Sequence, residues 1–192
     1  MEDILIQDKT FEKADFTGKS LSKGEYENCS FINCNFYETN LADIKFVDCV
    51  FAGCDLSLVK LSATAFRDIQ FKGCKMLGLH FEHCYGFSLA FSFNDCTLNH
   101  SSFYQTKIKK TSFKNCSLHE VDFTECDLTG SVFDNCDFSG STFENSILEK
   151  ADFRSAYNYS INPEMNRIKK AKFSWPGITG LLDKYDIDIH KT

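Results

Sequence analysis

Large apolar residues recur every five positions along most of this chain. In VDFTECDLTGSVFDNCDF, residues 121–138, they fall at Phe123, Leu128, Phe133 and Phe138. A small residue sits two places before each: Val121, Cys126, Ser131 and Cys136. A period of five matches neither the 3.6 of a helix nor the 2 of a strand. Taking the large residue as the centre of a unit, centres run without insertion from Phe11 to Phe81, and Ile4 and Ile6 hint at one unit more. A second run, shifted by two residues, extends from Leu98 to Phe153. Every residue two before a centre in the second run is small, whereas Lys9 and Lys19 hold that place early in the first.

A longer period lies inside the short one. Phe11, Phe31, Phe51, Phe71 and Phe91 are spaced by twenty, as are Phe93, Phe113, Phe133, Phe153 and Phe173. Four units of five then make one turn of a coil, and residues twenty apart stack. Each short side buries one large and one small residue, because the interior is narrow. Successive coils lie one strand spacing apart, about 4.8 Å, and each touches only its neighbours.

Two segments break the rhythm. In CYGFSLAFSFNDC, residues 84–96, Gly86 falls at a centre, and Phe91 and Leu98 are seven apart, so two residues are inserted. This predicts a bulge that bends the stack, or alternatively a hinge or exposed loop. Between Phe153 and Phe173 the units lose their pattern, which predicts a loop over 157–166 replacing part of a coil. The expected organisation is a solenoid over 1–173 and a tail over 174–192. In the tail, Ser174 is placed to cap a short helix with Pro176 just inside. Ile178, Leu181, Leu182 and Tyr185 follow at helical spacing. Such a tail either lids the open core or pairs with a second copy, in which case Trp175, Ile178, Leu181, Leu182 and Tyr185 form the dimer interface.

Composition narrows the classes. A length of 192 residues suits one domain, and a net charge of −6 argues against a nucleic-acid binder. No apolar run approaches the ~18 residues of a membrane span, and the start, MEDILIQDKTF, lacks the features of a signal peptide; the expected compartment is the cytoplasm. All ten cysteines (29, 34, 49, 54, 74, 84, 96, 116, 126 and 136) occupy the small inward place. Their role is therefore steric, free Cys acting as a small hydrophobe. Parallel side chains about 4.8 Å apart are too distant for disulfides and do not converge on a metal. The five histidines fall mostly at outward or corner places, and no catalytic or phosphate-binding motif occurs. The expectation is a non-enzymatic protein without cofactor or metal.

Units such as CDFSG, ADFRS and CDLTG match the pattern A(D/N)LXX, over roughly residues 11–155. The chain thus resembles the pentapeptide-repeat family, which implies an all-β solenoid, a right-handed quadrilateral parallel β-helix, here with a short C-terminal helix. Charge along it is banded. Residues 120–152 carry nine acids (Glu120, Asp122, Glu125, Asp127, Asp134, Asp137, Glu144, Glu149 and Asp152) and one base, Lys150. Residues 60–119 carry three acids and eight bases, with Lys107, Lys109, Lys110 and Lys114 clustered. Placed on the twenty-residue turn, the nine acids ring two consecutive coils. They read as a solvated surface, since Asp suits turns, or as a binding surface.

A pentapeptide chain with an amphipathic tail is similar to the Qnr-type quinolone-resistance proteins. That resemblance implies a homodimeric rod mimicking duplex DNA, which binds DNA gyrase and topoisomerase IV and protects them from quinolones or a toxin. The nine acids would be its partner-binding residues. Magnitude limits the mimicry. Two chains of about eight coils span on the order of 80 Å, where duplex DNA holds roughly 47 charges. The pair carries twice −6, or −12. Only a local acidic patch on a DNA-like rod survives that comparison. The alternative is a pentapeptide-repeat scaffold with an unrelated protein partner.

Overall fold

The five-residue units become the sides of a coil. The computed structural model describes residues 4–19, 21–87 and 89–190. The chain winds into an all-parallel β-solenoid of about eight turns with almost no helix. Sides are numbered one to four in chain order from the first coil, where Ile6, Phe11, Phe16 and Leu21 are the centres.

Side two runs the whole length as a nine-stranded parallel sheet, from Thr10–Glu12 at one end to Lys172–Phe173 at the other. Its centres form one ladder of nine stacked Phe rings, from Phe11 to Phe173. Ring centroids are 4.7–5.5 Å apart. The spacing follows from the strand repeat, since parallel strands one coil apart bring equivalent side chains face to face.

The small inward place accepts apolar residues such as Val121 and Ala151, and a donor there can add a hydrogen bond to the steric fit. Several donate to a carbonyl of the preceding coil: Cys34 Sγ to Phe11 O at 3.3 Å, Cys54 Sγ to Phe31 O at 3.3 Å and Cys74 Sγ to Phe51 O at 3.3 Å. Thr64 Oγ1 reaches Leu41 O at 2.8 Å and Ser131 Oγ reaches Ile108 O at 3.1 Å in the same way. Cys, Ser and Thr therefore interchange there, and all ten cysteines are buried free thiols. Cys34, Cys54, Cys74, Cys96, Cys116 and Cys136 form one column, because Lys75 pairs with Thr97 across the insertion.

The corners need the left-handed backbone region, which Asn and Asp tolerate best among non-glycine residues. Asp95, Asn115 and Asn135 hold corners at φ 55°, 51° and 53°. They link into a side-chain ladder, Asn115 Nδ2 donating to Asp95 at 2.8 Å and Asn135 Nδ2 to Asn115 at 3.0 Å.

At the rhythm break, Ile69–Lys72 pairs with Phe91–Asn94, Phe71 opposite Phe93, a step of twenty-two residues where its neighbours step by twenty. Side two passes through undisturbed. Side one does not: its sheet of Ile4–Gln7, Gly24–Glu27, Lys45–Val47 and Ala65–Arg67 ends there. Among the described residues only single bridges link its later coils, Lys107 with Asp127, Asp127 with Ile147 and Ile147 with Arg167. Gly86, at the expected interior centre, is exposed instead, and half-buried Leu89 and buried Phe91 pack against the core. The aromatic stacks change sides here. Before the break they lie on side one, Tyr26–Phe46–Phe66 at 5.4 and 5.7 Å. Starting from Phe81, the last centre before it, they lie on side four, Phe81–Phe103–Phe123–Phe143 at 4.3, 5.2 and 5.1 Å.

Residues 157–166 keep the regular length of half a coil. Tyr157 bridges Asp137 and Arg167 bridges Ile147, both at the regular step of twenty, and Tyr159 and Ile161 turn inward. The expected short helix is two 3-10 turns, Pro176–Leu181 and Asp183–Tyr185. Ser174 Oγ accepts the Gly177 N–H at 3.2 Å, and Gly180 O accepts the Ile161 N–H at 2.8 Å. The tail lies on the last coil so closely that a Cβ on Gly180 would stand 2.1 Å from Tyr159 O. Among the described residues no helix is long and apolar enough to cross a membrane.

Candidate partner-binding surface

Four of the nine sequence-predicted acids have a turn-building task. Asp122, Asp127, Asp137 and Asp152 occupy the place just before a centre, and each Oδ1 accepts the backbone N–H two residues on. The acceptor distances are 2.8 Å (Thr124), 3.1 Å (Thr129), 3.1 Å (Ser139) and 3.2 Å (Arg154). Asp15, Asn35, Asn40 and Asp55 do the same in earlier coils. An Asx-turn explains why the repeat carries Asp or Asn there.

The nine acids lie on all four sides: Asp127 and Glu149 on side one, Asp134 and Asp152 on side two, Glu120 and Asp137 on side three. Asp122, Glu125 and Glu144 are on side four. Lys or Arg side chains bridge three of them, and histidine rings meet two more. Asp127 meets Lys109 at 3.1 Å, Glu149 meets Arg167 at 2.7 Å, and Asp152 meets Arg154 at 2.8 Å and Lys172 at 3.4 Å. Asp137 meets the His119 ring at 2.9 Å and Glu120 the His100 ring at 3.1 Å. Desolvation raises the Asp137 pKa, but hydrogen bonds from Asn158, Ser139 and His119 outweigh it and hold the carboxyl at about 2. The Arg154 guanidinium holds Asp152 at about 2 as well. Asp134 accepts from Ser155 Oγ at 2.9 Å.

The remaining three differ. Asp122, Glu125 and Glu144 share side four, whose units 101–105, 121–125, 141–145 and 161–165 contain no Lys, Arg or His. Glu125 accepts from Gln105 Nε2 at 2.8 Å and Asp122 from Thr142 Oγ1 at 3.1 Å, neutral donors that orient the carboxylates without cancelling them. Glu164 continues the stripe but pairs with Lys184 and accepts from Tyr185 at 3.1 Å. The acidic ring is thus a ring in position and a stripe in uncompensated charge.

The tail residues divide in the same way. Trp175 is 86% exposed, with Ile178 and Tyr185 also exposed, while Leu181 packs on the core and Leu182 is half-buried. A groove of about 720 Å³ separates tail and last coil, lined among others by Arg154, Tyr157, Ser174 and Asp183. The Tyr159 hydroxyl is buried there without a hydrogen-bond partner.

Sequence reasoning missed a basic counterpart. Side one beyond the break carries Lys107, Lys109, Lys110, Lys150, Arg167, Lys169 and Lys170 against two acids. Placing the bases on the twenty-residue turn, as was done for the acids, would have found it.

A family model described as pentapeptide repeat region matches residues 24–91 and 79–153. No curated protein matches the chain. Among solved structures, HetL of the cyanobacterium Nostoc sp. strain PCC 7120 is a pentapeptide-repeat protein involved in heterocyst differentiation regulation. It matches with a TM-score of 0.72 at 17% identity, over 90% of this chain and 87% of that one. QnrB1, a plasmid-mediated fluoroquinolone resistance protein, matches in a trypsin-treated form with a TM-score of 0.62 at 15% identity, over 98% of this chain and 100% of that one. Its full-length form gives 0.57 at 15% identity, over 95% and 100%. At such identities the likeness is one of fold, and function has to be argued from surfaces.

Proposed function

The chain belongs to the pentapeptide-repeat proteins, and we propose that it is a non-enzymatic binder of type II topoisomerase, gyrase or topoisomerase IV. It occupies part of their DNA-binding surface and protects them from quinolones or a gyrase toxin. The observation that carries this reading is the base-free stripe on side four. Asp122, Glu125 and Glu144 place three charges on two coils, about 10 Å of rod. One strand of duplex DNA carries a charge every ~3.4 Å. The stripe therefore imitates one strand locally, although the rod as a whole is far too weakly charged. The three acids paired with Lys or Arg contribute less, since exposed pairs are already screened and partly neutralised. The tail lies beside this region, and exposed Trp175, Ile178 and Tyr185 suit a dimer contact that brings two stripes onto one rod.

The test is gyrase supercoiling with and without a quinolone. Micromolar wild-type protein should inhibit or protect, and Asp122→Asn/Glu125→Gln/Glu144→Gln should lose about tenfold or more in potency. The same neutralisation at Asp127, Asp137 and Asp152 should change potency less. No effect of wild-type protein on either reaction removes this reading. What then stands is the alternative, a pentapeptide-repeat scaffold for an unrelated protein partner, which the strongly basic half of side one beyond the break favours.

A further inference from the structure

Side one is divided by the break into two equal lengths of opposite charge. Four coils precede it, with centres Ile6, Tyr26, Phe46 and Phe66, and four follow, with centres Ile108, Leu128, Leu148 and Ile168. The first four units carry five acids, Asp8, Glu25, Glu27, Asp48 and Asp68, against Lys45 and Arg67. The last four carry seven bases against Asp127 and Glu149. Between them lies an uncharged segment, residues 84–90, on which Phe87 is 71% exposed and Tyr85 53%. Beside Phe87 the stack opens. Tyr85 and Ala90 donate to Thr64 O and Phe66 O of the preceding coil at 2.8 and 3.1 Å. On the other flank a groove of about 500 Å³ separates Cys84, Gly86 and Leu89 from Thr106 and Lys107 of the next coil. Glu82 Oε2 lines it, buried and without a hydrogen-bond partner.

We propose that side one is a self-complementary interface on which a second copy of this chain docks antiparallel, each Phe87 entering the groove of the other. A two-fold axis through the break, lying in the plane of side one and at right angles to the rod, maps the coil n steps before the break onto the coil n steps after it. Asp68 then faces Lys110, Lys45 faces Asp127, and Asp8 faces Lys170. The like charges Arg67 opposite Lys109 and Glu27 opposite Glu149 are softened because Lys109 and Glu149 already pair with Asp127 and Arg167 of their own chain. An isologous interface needs this property, that a patch be complementary to itself. Its layout, an aromatic anchor at the centre with charges around it, is that of an energetically focused contact. A polyanion along the basic half would leave the acidic half and Phe87 unused, so the second copy accounts for more of the surface. The strip is one side wide and about 40 Å long, at the small end of specific interfaces, so the association is weak and salt-dependent. It is separate from any contact through the tail.

The experiment is analytical ultracentrifugation of the full chain carrying Trp175→Asp, which silences a tail contact. Dimerisation is expected in low salt at tens of micromolar and about tenfold weaker at 0.5 M salt. Phe87→Asp, at an exposed position, should weaken it about tenfold or more with an unchanged melting curve. Asp8→Lys/Asp68→Lys and Lys110→Glu/Lys170→Glu should each be monomeric alone. Mixed in equal amounts, they should recover the wild-type affinity to within about threefold. A monomer at up to ~1 mM in low salt, or a mixture no tighter than its components, overturns the proposal. So does heparin binding that depends on Lys110 and Lys170 while self-association is absent.

Discussion

The stacks before and after residues 84–90 are built from the same unit, yet they present different surfaces and place their aromatic rings differently. Side two is common to both, with its Phe ladder unbroken from Phe71 to Phe93 at 5.3 Å. Side one forms a sheet over aromatic centres in the first stack. In the second it is joined by single bridges over Ile108, Leu128 and Leu148, while the aromatic column moves to side four. A narrow interior holds large rings on adjacent sides only when other sides carry smaller aliphatic centres. The two inserted residues let that assignment change without interrupting the ladder. Length is absorbed where the chain can bulge outward, and stacking is kept where every coil depends on it.

The largest expected effect tests whether the ladder is shared equally. Phe51→Ala in the first stack and Phe133→Ala in the second remove fully buried rings. Each should lower unfolding free energy by about 3–5 kcal/mol in urea titrations. A loss below about 1 kcal/mol at either site would contradict its place in the ladder. A smaller effect separates the core from its lid. Gly180→Ala puts a Cβ against Tyr159 O and should cost about 1–3 kcal/mol, as overpacking does. At Gly73 no heavy atom lies within 4 Å of an added Cβ, but φ is +59°. Gly73→Ala there should cost about 1 kcal/mol from backbone conformation alone.

Acid should distinguish the stacks next. Asp137 and Asp152, both in the second stack, are held at about 2, against roughly 3.9 for an unfolded Asp. Their contribution is therefore present above about pH 4 and is lost as the pH falls toward 2. Asp137→Asn/Asp152→Asn should flatten the thermal-melt pH profile below pH 4. An equally steep profile would show that other carboxylates set it. The smallest effect, without any change in stability, concerns the thiols. Burial raises the pKa of Cys49 to about 11 and that of Cys126 to about 12. A disulfide reagent at neutral pH should leave these thiols unlabelled in the native state. Cys84, beside the break, is the most exposed at 8%, but burial raises its pKa as well, so it too should stay unlabelled.

Much of this was legible in residue spacing. The five- and twenty-residue periods predict coil, stacking and the inward cysteines, because an interior of fixed width imposes the same size rule at every turn. The insertion near Gly86 was legible as a change of phase. Its consequence was not, because which side ends and which ring column moves depends on neighbours twenty residues away. The tail read as an amphipathic helix from Ile178, Leu181, Leu182 and Tyr185, but it forms 3-10 turns, with Gly180 pressed against Tyr159. For the acids, spacing placed all nine around the rod. It did not show that Lys109, Arg154, Arg167 and Lys172 reach five coil-mates or turn-mates together with two histidines.

The sequence by itself determined that the protein is a four-sided rod, since a repeat writes its own packing rule into every unit. Tertiary structure alone decided which charges remain uncompensated and which side breaks. Both depend on distances between side chains one coil apart, where a shift of a few ångströms separates an ion pair from an open carboxylate.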